Sequence, residues 1–136
     1  MAKIDIRRFT NGGALVFVDV YFDDRLARML LDTGASNTVL DKAFVEPGPH
    51  SAGHTEQVYT ATSTTTEAVI KYQVLDSIRI GSDAFKMADI TAIDLSEQNR
   101  TFAGSGLPAI DGILGNDVLV AHDAVIDIGK GKLKFK

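Results

Sequence analysis

The sequence contains no cysteine and no tryptophan, and only 3 of its 136 residues are proline. The lack of cysteine excludes a disulfide scaffold, a thiolate metal site and a cysteine nucleophile. Long apolar runs are also missing: the most apolar stretch, residues 14–22, is too short to span a bilayer and contains Asp19. The first residues lack the apolar segment of a signal peptide. We therefore expect no membrane span and a cytoplasmic location.

Positive charge is in short supply as well. The chain has 14 Lys and Arg residues and 18 Asp and Glu residues, which gives a net charge of −4. A mildly acidic chain without a basic cluster offers little to a phosphate backbone, so no nucleic-acid partner is expected. The hydrophobic share of 45% and charged share of 24% are those of an ordinary globular protein. The length suits one domain covering residues 1–136.

Short strands separated by turns dominate the pattern. Residues 14–22 and 25–31 are predicted to form two strands joined by a turn, although the Leu, Ala, Arg and Met of the second also favour helix. Residues 41–45 and a segment beginning near Gly115 are predicted to be short helices, and residues 96–107 a loop. Further strands are predicted at 57–61, 67–72, 74–80, 85–93, 124–128 and 132–135. These patterns predict a mostly β protein with one or two short helices.

The segment that carries chemistry is Leu30-Leu31-Asp32-Thr33-Gly34-Ala35-Ser36, in which an apolar strand ends at a carboxylate. Gly34 permits a tight turn whose backbone N–H groups can reach that carboxylate. Two such carboxylates about 3 Å apart cannot both ionise, so they share a proton. The ionised one can then take a proton from water while the protonated one polarises a peptide carbonyl. The segment therefore predicts hydrolysis at a paired-carboxylate site.

In these features the chain resembles the retropepsin-like aspartic proteases, the retroviral proteases and their cellular and bacterial relatives. Asp32-Thr33-Gly34-Ala35 is similar to the catalytic triplet with its following small residue. Ile113-Leu114-Gly115, about eighty residues later, is similar to the second signature of two apolar residues and a glycine. The hairpin predicted across residues 57–69 lies where the family keeps its flap over the substrate. The resemblance implies a closed acid-protease barrel of six or more strands, which is half of a pepsin-like fold.

The resemblance also implies the roles of individual residues. The catalytic residues are expected to be Asp32, Thr33 and Gly34. Substrate contacts are expected from Ala35, Ser36, Tyr59, Thr62, Ser63, Asp111 and Ile113. Two of these have an open alternative: Tyr59 either acts as the flap tyrosine of pepsin-like enzymes does or is a sheet residue without a role. Asp111 either edges a substrate pocket or starts a turn.

The chain departs from the family pattern in three places. The flap tip reads Thr62-Ser63-Thr64-Thr65, where retroviral proteases are glycine-rich. Ala35 stands where pepsin-like enzymes often carry a serine that stabilises the ionised carboxylate, so we expect an activity optimum in mild acid. Asn116 follows the second signature where retroviral proteases commonly carry an arginine, so the role of that arginine is not transferred.

The triplet occurs once, whereas a paired-carboxylate site needs two copies. The simplest solution is a homodimer with the site on its two-fold axis, acting on an extended polypeptide. The alternative is a catalytically silent dimeric module of the same fold that only binds peptides. No cofactor and no metal are expected, since His50 and His54 flank a loop, no carboxylate completes a ligand set with them, and they are interpreted as surface loop residues.

Overall fold

In the computed structural model, the described residues are 1–51, 54–59 and 64–136, and for 54–59 and 64–69 the description covers the backbone only. The strands of this part of the chain are β1 (Ala2–Arg8), β2 (Ala14–Phe22), β3 (Arg25–Leu31), β4 (Val39–Asp41), β5 (His54–Tyr59), β6 (Thr64–Gln73), β7 (Ile78–Ile80), β8 (Asp83–Phe85), β9 (Asp89–Ile93), β10 (Gly112–Leu114), β11 (Val125–Asp127) and β12 (Lys132–Lys134). The helices are α1 (Lys42–Val45), α2 (Ser96–Gly104) and α3 (Asn116–Leu119). No helix among the described residues is long and apolar enough to cross a membrane.

The strands form one sheet in the order β11-β12-β1-β2-β3-β10-β4-β9-β6-β5, with β7 and β8 branching from β2. The predicted mostly β class is confirmed. The described strands end at β5 on one side and β11 on the other, so closure into a barrel remains a prediction. Three helices are present in the described residues rather than one or two. The additional helix is α2, which replaces most of the loop predicted for residues 96–107.

The β2–β3 hairpin is confirmed, and its turn is held by a distant segment. Asp23, in the left-handed region at φ 55°, accepts backbone hydrogen bonds from Leu75, Asp76 and Ser77 at 2.7–3.1 Å. Burial raises the pKa of Asp23, but these three donors and Lys86 outweigh it, so the pKa lies below its ordinary value. The strand predicted for 74–80 is wrong in its first half because these backbone groups bond to Asp23 rather than to a strand.

The hairpin predicted at the flap position is also confirmed in its backbone. β5 and β6 are antiparallel, with Gln57 opposite Thr66 and Tyr59 opposite Thr64. β6 continues beyond the hairpin and pairs with β9, from Ile70 to Gln73. This second pairing ties the base of the hairpin into the main sheet.

The alternation of side chains along β2 and β3 separates two apolar clusters. Val18 and Met29 face the larger cluster, which also contains Leu40, Leu114 and Leu133. The opposite face carries a smaller cluster, which we call the apolar platform. Its buried members are Phe17, Ala35, Val39, Ile93, Leu95, Phe102, Ile110 and Ile113, with Leu15, Leu30 and Leu107 partly buried against them.

Candidate active site

Asp32 directly follows β3, a central strand of the sheet. β3 pairs with β2 on one side and runs parallel to β10 on the other, with Leu31 beside Leu114. The Asp32 N–H continues this ladder by donating to the Leu114 carbonyl at 3.1 Å. Since successive side chains of a strand alternate, Asp32 continues the face of Leu30, which belongs to the apolar platform. The strand therefore places a partly buried carboxylate at the edge of an apolar surface.

The loop after Asp32 is a tight turn, as Gly34 predicted. The Gly34 N–H donates to Asp32 Oδ1 at 2.8 Å, and the Ala35 N–H donates to the Asp32 carbonyl at 3.2 Å. Thr33 and Gly34 are exposed, while Ala35 is buried in the apolar platform. The two residues expected to act beside Asp32 are thus accessible, and the residue after them anchors the turn.

The glycines of the second signature segment are required by close packing. A Cβ on Gly115 would lie 2.7 Å from the Asn37 carbonyl carbon and oxygen and 2.9 Å from the Ala35 carbonyl oxygen. A Cβ on Gly112 would collide with the Val39 carbonyl oxygen and lie 2.8 Å from Met29 Cε. These neighbours include backbone atoms of β4 and of residues 32–37, which we call the catalytic loop after the role expected of Asp32. Only glycine therefore lets β10 and this loop approach so closely.

Asn116 holds the catalytic loop from the side of α3. Its amide Nδ2 donates to the Thr33 carbonyl at 2.7 Å, and its backbone N–H donates to the Ala35 carbonyl at 2.9 Å. The residue that departs from the family pattern therefore contacts the loop on both sides of Gly34. A short amide is sufficient for this contact, which is local to one chain.

A second link joins the two signatures through Thr38 and Asp117. Asp117 Oδ1 accepts from the Thr38 backbone N–H at 2.9 Å and from its hydroxyl at 2.7 Å. The Thr38 hydroxyl oxygen accepts in turn from the Gly115 N–H at 3.0 Å. Thr38 is 3% exposed, so these bonds satisfy polar groups in a largely buried place.

The sequence did not point to Thr38 or Asp117 as site residues. The two residues are 79 positions apart, and neither belongs to the motif segments. The one signal in the sequence is their position: Thr38 follows the first signature, and Asp117 follows the second, within a few residues. Such a pair becomes recognisable only when β3 and β10 are known to be neighbours.

The other expected contact residues have different positions. Ile113 is buried between Leu30 and Val39 in the platform. Ser36 is exposed, and its hydroxyl donates to Asn37 Oδ1 at 3.1 Å. A contact of either residue with substrate remains a prediction.

Asp111 has a defined structural task. Its carboxylate accepts from the Arg28 N–H at 2.9 Å, and its own N–H donates to the Arg28 carbonyl at 2.7 Å. Its carbonyl accepts from the Asp41 N–H at 2.7 Å. These contacts join the start of β10 to β3 and β4. They give Asp111 a structural role at the start of β10, and its place at the edge of a substrate pocket remains a prediction.

The remaining predicted residues belong to the hairpin tip. Thr62 and Ser63 lie outside the described residues. Tyr59 is the last residue of β5, and its side chain also lies outside the description. Their contacts with substrate remain predictions.

Among the described side chains, no three His, Cys, Asp or Glu residues converge as metal ligands. His50 contacts the Gly48 carbonyl through Nδ1 at 2.8 Å, and His122 stacks on Phe85 with ring centroids 4.0 Å apart. The rings of His50 and His122 therefore each contact a neighbouring group of the fold.

Comparison with known proteins agrees with this geometry. The family profile described as Aspartyl protease matches residues 18–118, which include both signatures. Among 133 matching chains of solved structures is the retroviral protease-like domain of Ddi1 from Leishmania major. It covers 90% of this chain and 87% of its own length, with a TM-score of 0.51 and 14% sequence identity, a likeness that concerns the fold. No curated protein sequence matches this chain.

Proposed function

Because this chain belongs to the aspartyl protease family and has a retropepsin-like fold, we propose that two copies form a homodimeric endopeptidase. The observation that carries the proposal is the setting of Asp32. Within the described residues its carboxylate accepts one hydrogen bond, from Gly34, which leaves lone pairs for water and a second carboxylate. The carboxylate is partly exposed at the end of a rigid central strand, as a shared site requires.

The proposed reaction needs two Asp32 side chains and one water. The ionised carboxylate takes a proton from the water, whose oxygen attacks the peptide carbonyl carbon. The protonated carboxylate gives its proton to the carbonyl oxygen, which produces a tetrahedral diol. When the diol collapses, a proton moves to the amide nitrogen and the C–N bond breaks, releasing a carboxylic acid and an amine. One proton remains shared by the pair, so the site is ready for another cycle.

A second copy is the simplest source of the second carboxylate. The chain has another Asp-x-Gly at Asp127-Ile128-Gly129, but Asp127 Oδ1 accepts from the Lys130 N–H at 2.9 Å and so caps the β11–β12 turn. In contrast, Thr33 and Gly34 are exposed beside Asp32 and available to a partner copy. A two-fold axis through this loop would bring the two Asp32 residues together.

The surroundings of Asp32 favour an extended and partly apolar peptide. Leu15, Leu30 and Leu107 are partly buried members of the platform, so they can add apolar contacts without rearranging the core. The β5–β6 hairpin offers backbone groups that can pair with an extended chain, as in other β-augmentation complexes.

The test is digestion of a peptide library from about pH 3 to about pH 8 by the wild-type protein and by Asp32→Asn. We expect cleavage by the wild type, inhibition by a pepstatin-like hydroxyl compound, and at least about a 10³-fold loss in Asp32→Asn. Asp127→Asn is the matched control because it makes the same change in the other Asp-x-Gly. A wild-type dimer that binds peptides without cleaving any would replace the endopeptidase by the silent peptide-binding module.

A further inference from the structure

Asn99, on α2, makes a paired contact with the backbone of a buried residue. Its Nδ2 donates to the Ile110 carbonyl at 3.0 Å, and its Oδ1 accepts from the Ile110 N–H at 2.8 Å. One side-chain amide thus satisfies both polar backbone groups of a residue that is 1% exposed. A neighbouring strand would provide the same two bonds, but Ile110 lies outside the strands of the described sheet.

The segment held in this way borders the apolar platform. Ile110 and Phe102 are both buried members of that cluster, and Phe102 packs edge-on against Phe17 with ring centroids 6.0 Å apart. α2 ends at a turn in which the Leu107 N–H donates to the Phe102 carbonyl at 2.9 Å. The chain then runs from Leu107, partly buried against the platform, to Ile110. We call residues 107–110 the wall segment.

The wall segment lies close to the catalytic loop. Ile113, three residues after Ile110, pairs with Leu30, and Leu30 precedes Asp32 by two positions on the same face of β3. Ala35 of the catalytic loop packs in the same cluster as Ile110. An apolar side chain placed beside Asp32 on this face would therefore meet the platform, with the wall segment at its side.

We propose that Asn99 is a positioning residue that fixes the wall segment and so sets the size of an apolar subsite beside Asp32. The inference rests on the proposed function, which already favours a partly apolar peptide, and adds the residue that controls how strictly a large aliphatic side chain next to the scissile bond is selected. A hydrophobic pocket separates side chains differing by one methylene by about 10- to 200-fold, provided that its walls keep their position. Loss of the amide leaves two buried backbone groups without partners, so the wall segment must move to satisfy them.

The first test compares Asn99→Ala with Gln98→Ala, an exposed residue of the same helix. The substrates are two peptides that differ only by Leu or Ala before the scissile bond. We expect the wild type and Gln98→Ala to prefer the Leu peptide. In Asn99→Ala the ratio of kcat/KM between the Leu and Ala peptides should fall about tenfold. The fall should come from a higher KM for the Leu peptide, with kcat changed less than about twofold. An unchanged preference, or an equal loss of kcat on both peptides, would overturn the inference.

The second test uses Asn99→Asp to separate the hydrogen bonds from the bulk of the side chain. A protonated carboxyl can supply the one donor and one acceptor that the amide uses here, whereas the ionised form has only acceptors and would face the Ile110 carbonyl. The Leu preference of Asn99→Asp is compared with that of the wild type at the same pH. It should equal the wild-type preference at about pH 4 and be about tenfold lower at about pH 7. A pH-independent loss would show that the paired hydrogen bonds do not position the wall.

Binding measurements keep this inference separate from the catalytic proposal. The affinities of both peptides can be measured with Asp32→Asn, with and without Asn99→Ala. If the wild type cleaves no peptide of the library, the endopeptidase proposal fails, but a Leu preference in binding that disappears with Asn99→Ala still supports the role of Asn99. If Asp32→Asn binds the two peptides equally, or binds neither, the proposed role of Asn99 is overturned.

Discussion

The strongest structural prediction concerns Gly115, the glycine of the second signature, which packs against the loop after Asp32. In Gly115→Ala the new methyl group would lie 2.7 Å from the Asn37 carbonyl group and 2.9 Å from the Ala35 carbonyl oxygen. These are backbone atoms, so the contact cannot be relieved by rotating a side chain. Overpacking of this kind costs about 1–3 kcal/mol. Gly115 has an ordinary φ of −109°, so alanine also restricts the unfolded chain and returns about 0.4–1 kcal/mol. The expected net loss is about 1–2 kcal/mol.

Gly104→Ala is the matched control. Gly104 is the last residue of α2 and has no atom within 4 Å of the added methyl group, so this substitution should be neutral or stabilise by up to about 1 kcal/mol. Both variants are unfolded in urea at one fixed protein concentration, because dimerisation contributes to apparent stability. The displaced Ala35 also bonds to the Asp32 carbonyl. We therefore expect kcat of Gly115→Ala to fall about 10- to 100-fold. A Gly115→Ala protein as stable and as active as Gly104→Ala would refute this account of the close approach.

Two further predictions concern single contacts, those of Asn116 and Asp23, and a third concerns the β5–β6 hairpin. Asn116→Ala removes the bond to the Thr33 carbonyl, so kcat should fall about tenfold with little change in KM, measured by steady-state peptide hydrolysis. Asp23→Asn should lower the free energy of unfolding by about 1 kcal/mol at neutral pH. Because the folded pKa of Asp23 is lowered from 3.8, its contribution is present above that value and lost as pH falls through the folded pKa, so denaturation curves of the two proteins should converge in strong acid. Amide exchange in β5 and β6 should slow when a peptide-like inhibitor binds, and unchanged exchange would place the substrate cover elsewhere.

Part of the fold could be predicted because it depends on local pattern. The β2–β3 hairpin and the last hairpin of β11 and β12 have apolar, β-branched or aromatic residues on both sides of a turn, and the hairpin of β5 and β6 has strand-forming Thr, Val and Tyr residues on its two arms. The helical turn of α1 was also predicted, and Asp41 caps it by accepting from the Ala43 N–H. In each case the signal lies within about twenty consecutive residues.

The errors have identifiable physical causes. Residues 96–107 predict a loop because the stretch is polar and contains glycine, and α2 forms there with Phe102 as its one buried residue and little amphipathic pattern. β1 is absent from the predicted strands, although Ala2, Ile4 and Ile6 alternate with charged residues in the pattern of a half-buried strand. The turn at 75–77 depends on Asp23, more than fifty positions earlier, and no local pattern reports such a contact.

The candidate site could likewise be predicted only in part. The turn after Asp32 and the close packing of Gly115 were expected from the two signatures. Asn116 was recognised as a departure from the family pattern, but its contacts with Thr33 and Ala35 became apparent only from the folded chain. The sequence therefore indicates which residues carry the chemistry, while the structure identifies those that hold them in place.

The central claim is that each active site contains Asp32 from both copies, and subunit mixing tests it most directly. Wild-type and Asp32→Asn chains are mixed at increasing ratios, allowed to exchange partners, and assayed at constant total protein. If the site is shared and needs both carboxylates, activity follows the square of the wild-type fraction, so an equal mixture retains about one quarter of the wild-type activity. A linear dependence, with about one half retained in the equal mixture, would show that each chain works alone and would contradict the account.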